Sequence, residues 1–204
     1  MKRVGVYAGT FDPIHAGHVA FAEKALKDCQ LDKIFFLVEP RPRRKQGVRA
    51  LEHREAMLRL AISDHKAFGM ILLEQANFSV ESTLPKLQAL FEGAKIYMLL
   101  GEDVFAHMNS WPHVERLLKT VRFIVGIRVG DETKVKQYLQ TVEKTRGIQF
   151  KTIFLVTEHQ SVSSSKIRLS LKRNQQPQGL LPKTQEYIQQ HGLYGPTDQT
   201  LAQD

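Results

Sequence analysis

Residues Gly9 to His18 read Gly-Thr-Phe-Asp-Pro-Ile-His-Ala-Gly-His, and this stretch decides how the rest of the chain is interpreted. It follows a short apolar run, Val4 to Ala8, that is typical of a buried first strand, and an amphipathic helical pattern comes after it. The turn between a strand and a helix binds anions because the first amides of the helix and the positive end of its dipole point at the ligand. Gly9 and Gly17 allow the backbone to approach such a ligand closely. The stretch therefore predicts a phosphate site.

Two imidazoles add hydrogen-bond donors to this predicted site. His15 and His18 are three residues apart, so both lie on one side of a helix that begins at or just after His15. A histidine pair can also bind a metal ion, but no other residue with ligand spacing accompanies this one. We therefore favour phosphate binding over a metal site.

The composition indicates one domain with a real core. The chain has 204 residues, 42% of them apolar and 25% charged, which is unlike a disordered or a membrane protein. Lys2 and Arg3 are not followed by the long apolar segment of a secretory signal or a spanning helix, so we expect a cytoplasmic protein without a membrane partner. Cys29 is the single cysteine and is expected to pack as a small apolar residue. The net charge of +8 attracts polyanions, which include nucleic acids, membrane surfaces and nucleotides.

Strand and helix patterns alternate along the chain. Continuous apolar runs indicate strands buried on both faces, and they are predicted at 4–8, 33–38, 70–74, 95–100, 121–128 and 148–156. Between them apolar residues recur at helical spacing, and Ser110 is predicted to cap a helix that Trp111-Pro112 opens. This alternation predicts an α/β fold, a doubly wound Rossmann-like parallel sheet of five to six strands with helices on both faces. We expect one domain over residues 1–194, with a small C-terminal helical part at about 163–194, and a disordered tail at 195–204.

Two loops are expected to face one crevice. In an open α/β sheet, ligands bind beyond the carboxyl ends of the strands, where the strand order reverses. If the order is 3-2-1-4-5-6, the loop after strand one and the Gly101-Glu102-Asp103 loop after strand four flank that point. Asp103 would either accept hydrogen bonds from a ribose or cap the short helix that follows it.

A serine-rich segment follows the last predicted strand and reads Ser161-Val162-Ser163-Ser164-Ser165-Lys166-Ile167-Arg168. Serines that open a helix cap its first amides. Hydroxyls, helix amides and a forked guanidinium also suit a di- or triphosphate, so the residues alone allow both interpretations.

The common nucleotide-binding signatures are absent from the sequence. It contains no Gly-x-x-x-x-Gly-Lys-Ser/Thr loop, and no Gly-x-Gly-x-x-Gly follows the first strand. Residues 39–49 carry five cationic side chains, two prolines and a glycine, which predicts either a solvated loop or a lid that contacts phosphates.

Two motifs resemble those of a known family. His15-Ala16-Gly17-His18 and Ser164-Ser165-Lys166-Ile167-Arg168 resemble the nucleotidyltransferases whose His-x-Gly-His loop and late Ser-Ser/Thr-x-Ile-Arg segment bind ATP. Among these, the chain is most similar to the bacterial nicotinate mononucleotide adenylyltransferase family. The similarity covers nearly the whole chain and includes His53-Arg54, Met57-Leu58, Thr83-Leu84, Gly101-x-Asp103, Trp111, Tyr187-Ile188 and Gly192-Leu193-Tyr194.

The resemblance implies an enzyme that transfers AMP from ATP to nicotinate mononucleotide, which gives deamido-NAD and pyrophosphate in NAD biosynthesis. It implies catalytic roles for His15, His18 and Lys45. It implies that ATP and its phosphates are bound by Gly9, Thr10, Phe11, Gly17, Ser164, Ser165, Ile167 and Arg168. Gly101 and Asp103 would bind the nucleotide and its ribose, and Thr83 and Trp111 the pyridine mononucleotide. Mg²⁺ would be carried by the ATP phosphates, because the sequence offers no carboxylate cage.

The chain departs from the family pattern in two segments. Arg43-Arg44-Lys45 stands where the family usually has Pro-His-Lys, and Val80 stands where it tends to have Thr, so the preference between nicotinate and nicotinamide forms stays open. A related alternative is pantetheine-phosphate adenylyltransferase, which tends to have Thr at the position of His15. An alternative of another class is a non-catalytic basic RNA-binding domain, but Phe35, Phe36 and Phe123 fall in predicted buried strands rather than on an exposed stacking surface. We therefore expect no nucleic-acid partner, and a homo-oligomer stays open.

Overall fold

A six-stranded parallel sheet lies at the centre of the computed structural model, which describes residues 1–41, 47–72, 77–127, 132–157, 162–196 and 198. The strands are β1 (Arg3–Gly9), β2 (Lys33–Val38), β3 (Phe68–Leu72), β4 (Lys95–Gly101), β5 (Arg122–Ile127) and β6 (Thr152–Val156). Their order is β3-β2-β1-β4-β5-β6, and every neighbouring pair is parallel. The predicted fold class is confirmed, and the strand order is the one assumed from the sequence, so β1 and β4 flank the point where the order reverses.

The helices of the described residues connect these strands or follow the last of them. They are α1 (Ala16–Asp28), α2 (Leu51–Ile62), α3 (Thr83–Leu90), α4 (Glu102–His107), α5 (Val114–Thr120), α6 (Glu132–Arg146), α7 (Ser164–Lys172) and α8 (Pro182–Gln190), with a short 3₁₀ turn at Met108–Ser110. None of these helices is long and apolar enough to cross a membrane.

Two apolar cores lie on opposite faces of the sheet because successive strand residues point to opposite sides. Val6 belongs to the core that α3 to α6 cover, whereas its neighbour Tyr7 belongs to the core that α1, α2 and α8 cover. Cys29 is buried in the second core, as expected of a small apolar residue. The helices therefore cover both faces, and the carboxyl ends of the strands stay accessible.

The predicted starts of β3 at residue 70 and of β6 at residue 148 are wrong. β3 begins at Phe68 because Gly69 pairs with Phe35 of β2, whose ring lies where a Cβ at residue 69 would be. β6 begins only at Thr152, and the Phe150 amide donates instead to the carboxylate of Glu143.

The predicted cap at Ser110 is wrong. Helix α5 begins at Val114, and its N-cap is His113. Trp111 is extended, with ψ of 137°, because the residue before a proline avoids the helical conformation.

The C-terminal part returns to the start of the chain. Helix α8 packs against α2, and Tyr194 lies buried beyond α8. Residues 197 and 199–204 of the predicted disordered tail lie outside the described residues, whereas Asp198 is described and bonds to the Arg49 side chain and the Tyr194 amide. The domain boundary at residue 194 stays a prediction.

Candidate active site

A cleft of about 480 Å³ opens at the carboxyl ends of β1 and β4. This volume falls in the range of small-molecule sites. The cleft brings together residues from four separate parts of the sequence. The predicted site residues that line it are Gly9, Thr10, Phe11, His15, His18, Gly101, Asp103, Ser164, Ser165 and Arg168. An adjoining hollow of about 220 Å³ is lined by Gly17 and shares His15, His18 and Asp103 with the cleft.

The two histidines lie against each other where α1 begins. His15 is the N-cap of α1, and its ring stacks on that of His18 with centroids 3.7 Å apart. The His15 amide donates a hydrogen bond of 3.2 Å to Nδ1 of His18. A neutral imidazole has one acceptor and one donor nitrogen, so this bond leaves the proton on Nε2 of His18. His18 is thereby set to donate a hydrogen bond from Nε2 to an anion.

The ring of Phe11 packs against the ring of His18. It is 2% exposed and packs edge-on against Tyr7 and His18, with centroid distances of 5.4 and 5.2 Å. A Cβ at Gly9 would lie 2.8 Å from the Phe11 ring, so glycine is needed there for close approach. These contacts give the loop a defined shape without using its polar groups.

The serine-rich segment forms the opposite wall. Ser163 is the N-cap of α7, and its hydroxyl oxygen accepts a hydrogen bond of 3.3 Å from the Lys166 amide. The Ser165 hydroxyl accepts from Nη2 of Arg168 at 3.3 Å. Both hydroxyl oxygens act as acceptors here, so their own hydrogens can be directed at an anion. Ile167 is 1% exposed and anchors α7 to the core.

The two predicted phosphate motifs are in direct contact. The Arg168 Nη1 donates to the backbone carbonyl of Asp12 at 2.7 Å, and the Ser164 hydroxyl donates to the carbonyl of Pro13 at 3.0 Å. The segment between Thr10 and Ile14 therefore sets the position of the α7 side chains. A guanidinium has five donors, so Arg168 can bond to phosphate oxygens while it keeps these contacts.

A buried arginine supports the same segment from the protein interior. Arg54 of α2 is 0% exposed, and its guanidinium donates to the backbone carbonyls of Thr10, Glu39, Pro40 and Arg49 at 2.6 to 3.1 Å. Burial lowers the pKa of Arg54, and the negative charge of Asp12 opposes this shift. Arg54 thus joins the loops that follow β1 and β2 to the start of α2.

The loop after β4 contributes Gly101 and Asp103. Gly101 is the N-cap of α4, and Asp103 lies in the first turn of this helix, so the alternative that Asp103 caps the helix is wrong. A Cβ at Gly101 would meet no protein atom within 4 Å, which shows that the space beside it opens into the cleft.

Besides Ile167, and Gly17 in the adjoining hollow, three predicted residues are not among those that line the cleft. Thr83 is fully buried, and its hydroxyl oxygen accepts a hydrogen bond of 3.0 Å from the Ser79 amide. Trp111 is partly exposed and packs beside Phe78, with centroids 5.9 Å apart. Lys45 lies outside the described residues.

Sequence reasoning missed several residues of the site. Asp12 and Ser163 line the cleft, and Tyr194 donates from its hydroxyl to Asp12 at 2.6 Å. Burial raises the pKa of Tyr194, and the charge of Asp12 adds to that effect. The similarity over Gly192-Leu193-Tyr194 was a signal for Tyr194, but it did not indicate a contact with the first loop. Among the described residues, no three His, Cys, Asp or Glu side chains are grouped so that they could hold a metal ion.

Comparison with known proteins agrees with this geometry. The sequence model described as cytidylyltransferase-like matches residues 6–170. This match covers far more than half of the sequence, so the chain belongs to the cytidylyltransferase-like family.

Two similar proteins narrow this class. A protein of Desulfotalea psychrophila named probable nicotinate-nucleotide adenylyltransferase is 33% identical over 95% of this chain and 100% of its own length. The nicotinate-nucleotide adenylyltransferase of Bacillus subtilis is 28% identical over 95% of this chain and 99% of its own. The resemblance to the nicotinate mononucleotide adenylyltransferases that the motifs predicted is thereby confirmed.

A solved structure shares the fold. The nicotinic acid mononucleotide adenylyltransferase of Plasmodium falciparum, complexed with NaAD, superposes with a TM-score of 0.78 at 20% identity, over 95% of this chain and 98% of the other. At that identity the likeness concerns the fold alone.

Proposed function

We propose that this chain is a nicotinate mononucleotide adenylyltransferase, which transfers AMP from ATP to nicotinate mononucleotide and releases pyrophosphate. The observation that carries the proposal is the single cleft in which the His15–His18 pair faces Ser165 and Arg168. Relatives named for this activity, aligned over nearly the whole chain, support the same assignment.

The reaction needs positioned donors rather than a protein nucleophile. A 5′-phosphate oxygen of the mononucleotide attacks the α-phosphorus of ATP in line, and the bond from that phosphorus to the pyrophosphate oxygen breaks. Charge that develops on the phosphate oxygens is stabilised by donors already in place. His18 donates from Nε2, and His15 and Thr10 contact the same phosphates.

The leaving pyrophosphate binds at the start of α7. Arg168, Ser164 and Ser165 contact the β- and γ-phosphates, and the amide end of α7 adds its partial positive charge. The Ser164 hydroxyl hydrogen is used by the Pro13 carbonyl in the structure, so Ser164 must turn if it is to donate to a phosphate. Lys45, which belongs to the basic segment 39–49, neutralises negative charge on the phosphates.

The remaining contacts concern the nucleosides. Asp103 accepts from the ATP ribose beside Gly101, whose open flank suits close approach of a ligand. Trp111 stacks on the pyridine ring. The Thr83 amide donates to the Ser79 carbonyl and the Thr83 hydroxyl oxygen accepts from the Ser79 amide, so Thr83 would contact the mononucleotide by donating its hydroxyl hydrogen. Mg²⁺ enters with ATP as part of the substrate. The cytoplasmic location stays a prediction.

The RNA-binding alternative finds no exposed stacking surface at Phe35, Phe36 or Phe123. Phe36 and Phe123 are 0% exposed, and Phe35 packs beside Phe91 with centroids 5.0 Å apart.

Pyrophosphate release from MgATP tests the proposal. Purified protein is given nicotinate mononucleotide, nicotinamide mononucleotide or phosphopantetheine in parallel reactions. We expect the fastest release with nicotinate mononucleotide and less with the nicotinamide form. Pyrophosphate release with phosphopantetheine alone would make phosphopantetheine the acceptor instead. No release with either pyridine nucleotide would refute the assignment.

A further inference from the structure

Tyr194, 182 residues away in sequence from Asp12, reaches the first phosphate loop. Its hydroxyl donates to Oδ1 of Asp12 at 2.6 Å, and the contact is buried, with Tyr194 2% and Asp12 4% exposed. Hydrogen bonds to an ionised acceptor are about twice as strong as neutral ones. The bond therefore fixes the Asp12 carboxylate in one orientation.

Asp12 in turn holds the side chain that faces the cleft. Its backbone carbonyl accepts from Nη1 of Arg168 at 2.7 Å, and its carboxylate Oδ2 lies 4.0 Å from the same nitrogen. The Asp12 side chain is almost fully buried, whereas that of Arg168 is 36% exposed at the cleft wall. The position of Asp12 thus sets the position of the guanidinium.

Further contacts hold the ring and the backbone amide of Tyr194. The Arg49 guanidinium lies 4.8 Å from the centroid of this ring, and the Arg49 Nε and the Tyr194 amide both bond to Asp198. The Arg49 amide also donates to Oδ1 of Asp12, at 3.4 Å. The hydroxyl of Tyr194 is therefore placed by several contacts and is not a loose surface group.

We propose that Tyr194 is a positioning residue for phosphate binding, which acts through the Asp12 carboxylate to hold Arg168 at the cleft. The inference rests on the proposed function, because it assigns Arg168 to the ATP phosphates. Tyr194 is buried and does not line the cleft, so it acts without touching the substrate. When its hydroxyl is removed, Asp12 turns toward Arg168, and the guanidinium leaves the orientation that binds the pyrophosphate portion.

Tyr194→Phe tests the proposal because it removes only the hydroxyl. We expect kcat/KM for MgATP to fall by about tenfold to a hundredfold, the size of effect that a misplacement of about 1 Å produces. The KM for the mononucleotide should stay unchanged. Affinity for a non-hydrolysable ATP analogue should fall in parallel when it is measured by calorimetry well below the melting temperature.

A double-mutant cycle separates this role from a general loss of stability. If Tyr194 acts through Arg168, the Tyr194→Phe change should cost less than about threefold in an Arg168→Lys background. Equal losses in both backgrounds would overturn the proposal. If Tyr194→Phe does not fold, the cycle is run with Asp12→Asn, which keeps an oxygen for Tyr194 and removes the charge that faces Arg168.

Tyr187→Phe is the matched control. Its hydroxyl bonds to Nδ1 of His53 at 3.0 Å in the contact between α2 and α8, away from the cleft. This variant also loses a hydrogen bond of a tyrosine hydroxyl and should keep wild-type values for MgATP. The analogue assay does not depend on the acceptor, so a failed assignment of nicotinate mononucleotide would leave it readable. If Tyr194→Phe binds the ATP analogue with wild-type affinity, the role of Tyr194 is refuted while the proposed function is unaffected.

Discussion

Replacing Arg54 should destabilise the protein through the loops of the active site. In Arg54→Met, four backbone carbonyls lose their donors, and the one at Thr10 lies in a fully buried contact. A buried acceptor without a partner costs about 1–3 kcal/mol, and the more accessible carbonyls can bond to water at a lower cost. Removing a desolvated charge offsets part of the loss, because burial disfavours the guanidinium. We expect a net loss of about 3 kcal/mol in the free energy of unfolding.

Thermal unfolding measures this loss. For a chain of this size, each kcal/mol shifts Tm by about 2–4 °C, so Arg54→Met should melt about 6–12 °C below wild type. The matched control is Arg59→Met on the exposed side of the same helix, which should stay within about 0.5 kcal/mol of wild type. A melting temperature for Arg54→Met within 2 °C of that control would refute the reasoning.

Arg54→Lys separates the charge from the shape of the donor group. Lysine keeps the positive charge, but one ammonium has three donors and cannot span carbonyls from the loops after β1 and β2 and from residue 49. We therefore expect it to recover less than half of the lost stability. Full recovery would show that charge alone is needed at this position.

Three further perturbations test the site and the core. His18→Ala should lower turnover by about a hundredfold or more with the fold intact, because a donor aimed at the transition state is lost. His65→Ala, which lies outside the cleft, is the control. Wild-type turnover in His18→Ala would show that His18 has no part in the mechanism. Gly179→Ala should lose about 2–4 kcal/mol, because φ is +75° and a Cβ would lie 2.6 Å from Val162. Gly147→Ala has similar backbone strain without the contact and should lose only about 1–2 kcal/mol, so equal losses would contradict this reasoning. Burial raises the pKa of Tyr7 and of Tyr194. The unfolded chain releases these protons above about pH 10 while the native state keeps them, so stability is retained below that pH and falls above it by about 1.4 kcal/mol per pH unit for each tyrosine. Urea unfolding from pH 8 to 11 measures the slope, and a flat profile would argue against buried phenols.

Much of the fold could be predicted because it depends on patterns that are local in sequence. Buried parallel strands require continuous apolar runs, and the run at Lys33–Val38 matches β2 at both ends. Gly69 shows where local patterns fail. A glycine suggests a break, but here it is a strand residue that makes room for the Phe35 ring of the neighbouring strand.

The candidate site was predictable where residues act through their own motif. His15 and His18 are neighbours on one turn of helix, so their spacing was enough to predict their proximity. Arg54 could not be recognised in the same way, because its partners are backbone carbonyls, which any residue provides. A buried arginine with such partners leaves no pattern of opposite charges in the sequence.

The residues that prediction missed lead us to expect that stability and phosphate binding are coupled in this protein. Arg54 bonds to the Thr10 carbonyl from the protein interior, and Tyr194 bonds to the Asp12 carboxylate from the C-terminal part. Both therefore act on the segment from Thr10 to Pro13. That segment presents two carbonyls to Arg168 and Ser164. A change that loosens it from either side should therefore alter both the melting temperature and the affinity for ATP. Substitution of Ser165 to alanine should alter the affinity alone, because this exposed side chain lies at the cleft wall, outside both apolar cores.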